Sequence, residues 1–510
     1  MSVSAPANDP PLKAAEPRSA SGAGVAPPTA ANHASRSSRL GLGALSVYGS
    51  GALVENITTW VVGSLLLFYL TIICGLSGSE AGAALGITLV VDSVIDPVVG
   101  SISDNSRSRH GRRHPLMLAS IIPIVAAFGL LFSVPRGLSG LPLFAYALAT
   151  LLSLRVAISF FYVPYMALGA ELTDDYAERS TVVAGRVFFT VLGGLAAAFL
   201  TWGVFLKGPR GRYDAAAYSP LAWTFGAIVA FGALLSTLGT LRARGRLHAA
   251  PEGRRFGLGQ LFAEMLEVLR NRSFVSLFLP CLILFTALGV AGTLTLHANT
   301  FFWKLSAPQI LILALLLPVG VFGGIFAAGM LARAIEKRST AMLGLAMIGV
   351  SQLGPVTLRL TGVIPATAAL PTLGAAVVIG GIGAGIATIA FQSMMADATD
   401  EHEHLFGARR EGLYFAGITL SAKASSGLGA WIGGITLDLI GFPHGIAATP
   451  ALLATIPAAT IRNLGIAYGP GASIFTAVAV AVLFGYKLNK TGHTRILEEL
   501  NRRRAEKTAA

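Results

Sequence analysis

From Leu42 onward the chain alternates apolar runs of about 20 residues with short polar turns, and about 20 apolar residues is the length a helix needs to cross a bilayer's hydrocarbon core. About twelve such runs can be drawn, at 42–74, 79–103, 115–134, 141–170, 181–206, 220–241, 273–298, 309–332, 339–360, 371–396, 411–440 and 463–489. Only a helix satisfies every backbone group of a single segment in hydrocarbon, so the pattern predicts an all-α polytopic membrane protein. Residues 1–38 are rich in Ala, Pro and Ser and have no apolar run, which predicts a disordered cytoplasmic arm without a cleaved signal peptide. The longest polar connection, 242–272, separates six spans in 39–241 from six in 273–489, and 490–510 forms a polar tail. Six plus six suggests a duplicated transporter architecture in two bundles, although no repeat is visible in the residues themselves. Within the connection, Phe256–Leu269 has apolar residues at helical spacing and reads equally as a surface helix or a solvated linker.

Composition agrees with the pattern. Of 510 residues, 54% are hydrophobic and 12% charged, whereas charged residues make up about a quarter of an ordinary soluble domain. The net charge of +13 would suit nucleic acid if it were clustered on one surface, but it lies in the turns. Those after even-numbered spans hold Arg107, Arg109, Arg112, Arg113, Arg179, Arg242, Lys337, Arg338, Arg409 and Arg410, while the opposite set is poorer in Lys and Arg. This asymmetry is topology information: it excludes a nucleic-acid partner and places both termini in the cytoplasm. The Ala, Gly and Arg content and the lack of eukaryotic sorting signals favour a bacterial cytoplasmic membrane, with the bilayer as partner and a monomer as the expected state. Cys74 and Cys281 are too far apart in kind and place to suggest a disulfide framework or a metal site. No G-x-S-x-G or H-E-x-x-H arrangement occurs, so no catalytic residue, metal or cofactor is expected. His402 and His404, in DATDEHEHLFGARR, read as a solvated charge cluster in a polar loop.

The informative residues are the polar ones inside the spans. Asp92 and Asp96, four apart in the second span, place two carboxylates on one helix face. A charge there costs roughly 2.5–3.5 kcal/mol on insertion scales, and two adjacent carboxylates in low dielectric need a counter-charge or a proton. Lys423 interrupts the eleventh span among small residues. If it faces the pair, the local sum is minus one, which a bound monovalent cation neutralises. Glu55, Asn56, Arg155 and Arg186 are cavity-lining candidates, as are Ser159, Tyr162 and Tyr165 around Pro164, where proline frees a carbonyl. The turns Asp104–Arg113 and Asp174–Arg179 are candidates for a cytoplasmic gate, with Asp104, Arg112, Arg113, Asp174 and Arg179 forming ion pairs that break on opening.

Four ordered stretches, VDSVIDPVVGSISDNSRSRHGRRHP, YVPYMALGAELTDDYAERS, MMADATDEHEHLFGARREG and the Lys423 helix, together with YGSGALVENITTW, resemble the glycoside-pentoside-hexuronide:cation symporters of the major facilitator superfamily. The likeness covers nearly everything after residue 40. It implies two six-helix bundles alternating around a central site, and symport driven by sodium, lithium or protons. By position, Asp92 and Asp96 match the family's cation-site acids, with Ser159 where a threonine stands, and Lys423 matches a charge-balancing lysine. Arg186 matches a sugar-contacting arginine, Asn56 and Tyr162 stand where the melibiose carrier has two sugar-binding aspartates, and Met166 stands for a tryptophan. Ile95 replaces a cation-site asparagine, so sodium loses ligands and protons gain weight. The expected cargo is a sugar, glycoside or related small solute. The alternatives are a bulkier amphipathic solute such as a lysolipid or steroid, and a transport-dead receptor or polytopic enzyme.

Overall fold

The computed structural model describes residues 41–106, 108, 111–173, 175–208, 210–241, 269–407, 410–446 and 456–509. The arm 1–38, most of the 242–272 connection with its candidate surface helix, and Arg107, Arg109, Asp174 and Arg409 lie outside these residues. The described residues form helices and no strands. In order they are α1 Leu42–Ile73, α2 Gly78–Asn105, α3 His114–Leu131, α4 Gly140–Glu171, α5 Glu178–Phe205, α6 Ala215–Leu241, α7 Arg272–Phe302, α8 Ala307–Ala334, α9 Lys337–Leu360, α10 Ala369–Phe406, α11 Glu411–Leu439, α12 Ala458–Leu483 and α13 Lys490–Ala509.

Eleven of these are long and apolar enough to cross a membrane. The helix α11, the remaining expected span, is diluted by Gly, Ser and Lys423, and its packing explains why that is tolerated. Gly427, Ala430 and Gly434 lie against α2, while Ser426, Gly429 and Gly433 lie against α7. Helix backbones pack against it on these two faces, where small residues permit the close approach.

The duplication that the residues hide is plain in the packing. Contacts α2–α4, α3–α4, α1–α5, α1–α6 and α3–α6 in the first half are matched by α8–α10, α9–α10, α7–α11, α7–α12 and α9–α12 in the second. The same local device joins the first two helices of each half. A π-helical turn, Tyr69–Ile73 or Ala298–Phe302, ends the first. Leu76 N then donates to Leu70 O at 2.9 Å, as Leu305 N does to Asn299 O at 2.8 Å. Ser77 with Glu80, and Ser306 with Gln309, close equivalent capping boxes. The turn needs one left-handed residue: Gly75 takes it at φ 85° and Lys304 at φ 55°.

One expectation is corrected. Residues 397–406 are not loop but the end of α10, a 38-residue helix of about 57 Å that runs past the apolar zone. His402 is buried there against Tyr414 and Phe406, at ring distances of 5.4 and 4.6 Å. Asp397 pairs with Lys337 at 2.7 Å and Asp400 with His493 at 3.1 Å, so the cluster docks α13 and is not simply solvated. No three His, Cys, Asp or Glu among the described residues could hold a metal ion.

Candidate functional site

Where α2 crosses α11, two charged stretches distant in the chain meet between the halves. Helical spacing stacks Asp92 and Asp96 on one face of α2, and Lys423 Nζ lies 2.9 Å from Asp92 Oδ2 and 2.5 Å from Asp96 Oδ2. From α4, Ser159 Oγ lies 3.0 Å from Asp92 Oδ1 and 2.7 Å from Asp96 Oδ1. A hydroxyl has one proton, so it serves one carboxylate at a time. The other close oxygen pair then requires a proton or a cation between its members. Access is unequal: the Asp92 side chain is 3% exposed and that of Asp96 28%. Asp96 is therefore the more accessible of the two carboxylates.

Glu55 and Arg155 join this centre. Glu55, half-buried in the middle of α1, lies in the fields of Arg155, Lys423 and Asp92 and accepts from Thr59 Oγ1 at 3.2 Å. Arg155 is buried, with Nε free of any hydrogen-bond partner among the described residues. With every group ionised, three acids and two bases still sum to minus one.

The residues expected to touch solute border the same centre. Asn56 Oδ1 is buried without a hydrogen-bond partner among the described residues, facing α5 at Gly193 and Gly194. Tyr162 is half-buried, its ring 5.9 Å from Tyr165 and in the fields of both Glu55 and Arg186. Arg186 Nη1 points at the Met166 sulfur at 2.8 Å and reaches the Tyr48 hydroxyl. Asn56, Tyr162, Met166 and Arg186 thus converge from α1, α4 and α5.

At the basic end, Asp104 pairs with Arg113 at 2.6 Å. Both Arg112 and Arg113 reach Glu171, at 2.6 and 2.9 Å, and Arg113 also donates to Ser103 Oγ at 2.8 Å. These pairs clamp the α2–α3 turn to the end of α4, all within the first half. Arg179 Nε donates to Thr173 O at 3.2 Å, away from that clamp. Glu171 is the partner that sequence reading missed; an acid at a helix end looks like any polar turn.

The opposite end is sealed between the halves; the two longer connections on that side, 207–219 and 441–462, stood out in the sequence as able to shape a vestibule or do nothing, whereas Thr71 and His297 did not stand out. His297 Nε2 lies 3.1 Å from Thr71 Oγ1, and Gly445 N donates to Thr71 O at 2.8 Å. Arg212 donates to Thr300 Oγ1 at 2.9 Å and Leu305 O at 2.5 Å. Burial lowers the Arg212 pKa from its usual value, and its hydrogen bonds go to neutral oxygens. Asp438 of α11 accepts from Gly78 N and Ser79 N, both at 2.7 Å, capping α2 across the interface. Rings of Phe68, His297, Phe301 and Phe442 fill the centre of the seal.

Two pseudo-symmetric six-helix halves around a charged centre, closed at one end, define a secondary transporter of the major facilitator fold. Residues 47–490 match the family described as MFS/sugar transport protein, so the chain belongs to that family, among the glycoside-pentoside-hexuronide symporters. It is 23% identical over 530 residues to an uncharacterized symporter of Synechocystis sp., covering 89% of this chain and 96% of that one. It is 24% identical to the glucuronide carrier protein homolog of Escherichia coli, covering 90% and 95%. Its fold is similar to that of a bacterial homolog of the human lysosomal transporter Spinster, with TM-score 0.62 at 14% identity, covering 90% of this chain and 97% of that one. The chain is thus a multi-pass integral membrane transporter of small solutes and not an enzyme.

Proposed function

We propose that the chain is a cation-coupled symporter that carries a sugar, glycoside or related small organic solute by alternating access, driven by protons or sodium. The observation that carries this reading is the Asp92–Ser159–Asp96–Lys423 cluster between the halves, where one hydroxyl proton stands against two carboxylates. An empty site holds an uncompensated charge that opposes closure away from water, and a filled one can close. Asp92, Asp96 and Ser159 bind the ion and Lys423 balances it. Asn56, Tyr162, Met166 and Arg186 line the solute position. The name of the glucuronide carrier relative supports a sugar-derived cargo.

The basic end faces the cytoplasm of a bacterial cell, with both termini there, as the Lys and Arg asymmetry requires. The sealed end then faces outward, and Asp104, Arg112, Arg113, Asp174 and Arg179 belong to the cytoplasmic gate region. The test is uptake into energised vesicles across sugars, glycosides, uronides and lysolipids, with sodium and pH gradients imposed separately. Accumulation of a sugar derivative with one gradient supports the reading. Accumulation of a lysolipid alone transfers it to an amphipathic cargo, and no gradient-dependent accumulation overturns it. Asp96→Asn should abolish accumulation while leaving exchange intact; a variant that still concentrates solute with normal ion dependence removes Asp96 from coupling.

A further inference from the structure

Glu55 has acceptor capacity that no other described residue uses. It sits mid-span on α1, half-buried, and the one hydrogen bond it makes among the described residues comes from Thr59 of its own helix. A carboxylate offers about four acceptor positions. Its surroundings show that it faces the interior: Arg155 from α4, Lys423 from α11 and Asp92 from α2 lie in its field on one side and Tyr162 on the other. In the same centre, Asn56 Oδ1 and Arg155 Nε are buried without hydrogen-bond partners among the described residues. Polar groups held open together at a half-accessible centre suit a solute rich in hydroxyl groups, whereas an apolar cargo would strand them.

We propose that Glu55 accepts hydrogen bonds from solute hydroxyls and, through its charge, ties solute occupancy to the ion site, with Arg155 as its positioning counter-charge. This rests on the reading of Asp92 and Asp96 as the ion site. The solute meets Glu55 between Asn56 and Tyr162, and the same carboxylate contributes to the field at Asp92 and Lys423. Without the Glu55 charge, the five-residue sum of minus one becomes zero before any ion arrives, so ion binding weakens. Removing Arg155 as well returns the sum to minus one.

The full chain in lipid nanodiscs is titrated with sodium and, separately, with protons. It is also screened for binding of 4-nitrophenyl hexosides, pentosides and hexuronides, the tightest binder serving as probe. Glu55→Gln should weaken the probe about tenfold or more, the worth of one hydrogen bond to a charged group, and raise the half-saturating ion concentration. The double variant Glu55→Gln, Arg155→Gln should recover the ion value while the probe stays weak, and that recovery also shows that it is folded. Wild-type probe affinity in Glu55→Gln, or an ion defect that persists in the folded double variant, overturns the proposal. Failure of the ion-site reading looks different: Asp96→Asn then keeps coupled accumulation, while the Glu55→Gln loss of probe affinity, measured without the ion, is unchanged.

Discussion

At the scale of single residues, what betrayed the centre was cost. An ionised side chain in an apolar run is anomalous wherever it points, so Asp92, Asp96, Lys423, Glu55 and Arg155 were all visible in the sequence. Ser159 was visible as a cavity-lining candidate beside Pro164, but its place with the two acids was visible only through resemblance, because a serine in a membrane helix is ordinary. His297 was not visible at all: it is buried and carries an inter-half hydrogen bond, yet resembles any apolar-face histidine. The lysine gives a sign that can be checked. Lys423→Ala takes the local sum from minus one to minus two, so it should lower the half-saturating ion concentration about fivefold even at a water-like dielectric, where unit charges about 4 Å apart interact by about 1 kcal/mol, and by more in a less polar site. Slow ion release should reduce turnover with it. Ion titration and transport on one preparation check both, and an unchanged ion affinity in a folded variant would reduce Lys423 to packing.

At the scale of elements, small-residue stripes decide how near two helices come. Gly82 of α2 and the backbone of Ala430 of α11 leave no room for a side chain: a Cβ would stand 2.9 Å from the Ala430 oxygen. A backbone atom cannot rotate away, so Gly82→Val must part the helices. Overpacking of this kind costs about 1–3 kcal/mol. The variant should therefore lower the thermal unfolding temperature and loosen the Asp438 cap on α2. Gly63→Val on α1, where nothing lies within 4 Å, should change little; equal effects at both positions would deny α2–α11 contact its special role. Glycine abundance was evident from composition, but which glycines face a helix depends on rotation about the axis, and a span that is apolar all round does not encode it.

At the scale of the whole molecule, the closed end is held by contacts between halves whose members are far apart in sequence. His297 meets Thr71, and Arg212 donates to Thr300 and Leu305, each across the boundary between the halves. Each such bond contributes about 1 kcal/mol. His297→Ala with Arg212→Ala should thus shift the balance toward opening of this end by an order of magnitude or more. Spin labels at S139C and T361C, one on each half at that end, should report a longer distance. An unchanged distance distribution would place the seal in the aromatic packing of Phe68, Phe301 and Phe442 instead. The pseudo-symmetry sharpens the point: Gly75 and Lys304, chemically unlike, take the same left-handed conformation in equivalent turns, so at that position the duplication lives in the backbone.

Taken alone, the order of residues determined the class of protein, its dozen spans, the sign of its loops and the charges at its centre. Each of these follows from a local property, the free energy of placing one segment or one group in hydrocarbon. Only the tertiary structure decided the partnerships. Lys423 lies 327 residues from Asp96, yet their side chains meet. Glu171 holds two arginines, and His297 closes on Thr71. The physical reason is that burial cost is written residue by residue, whereas compensation depends on which helix faces pack together.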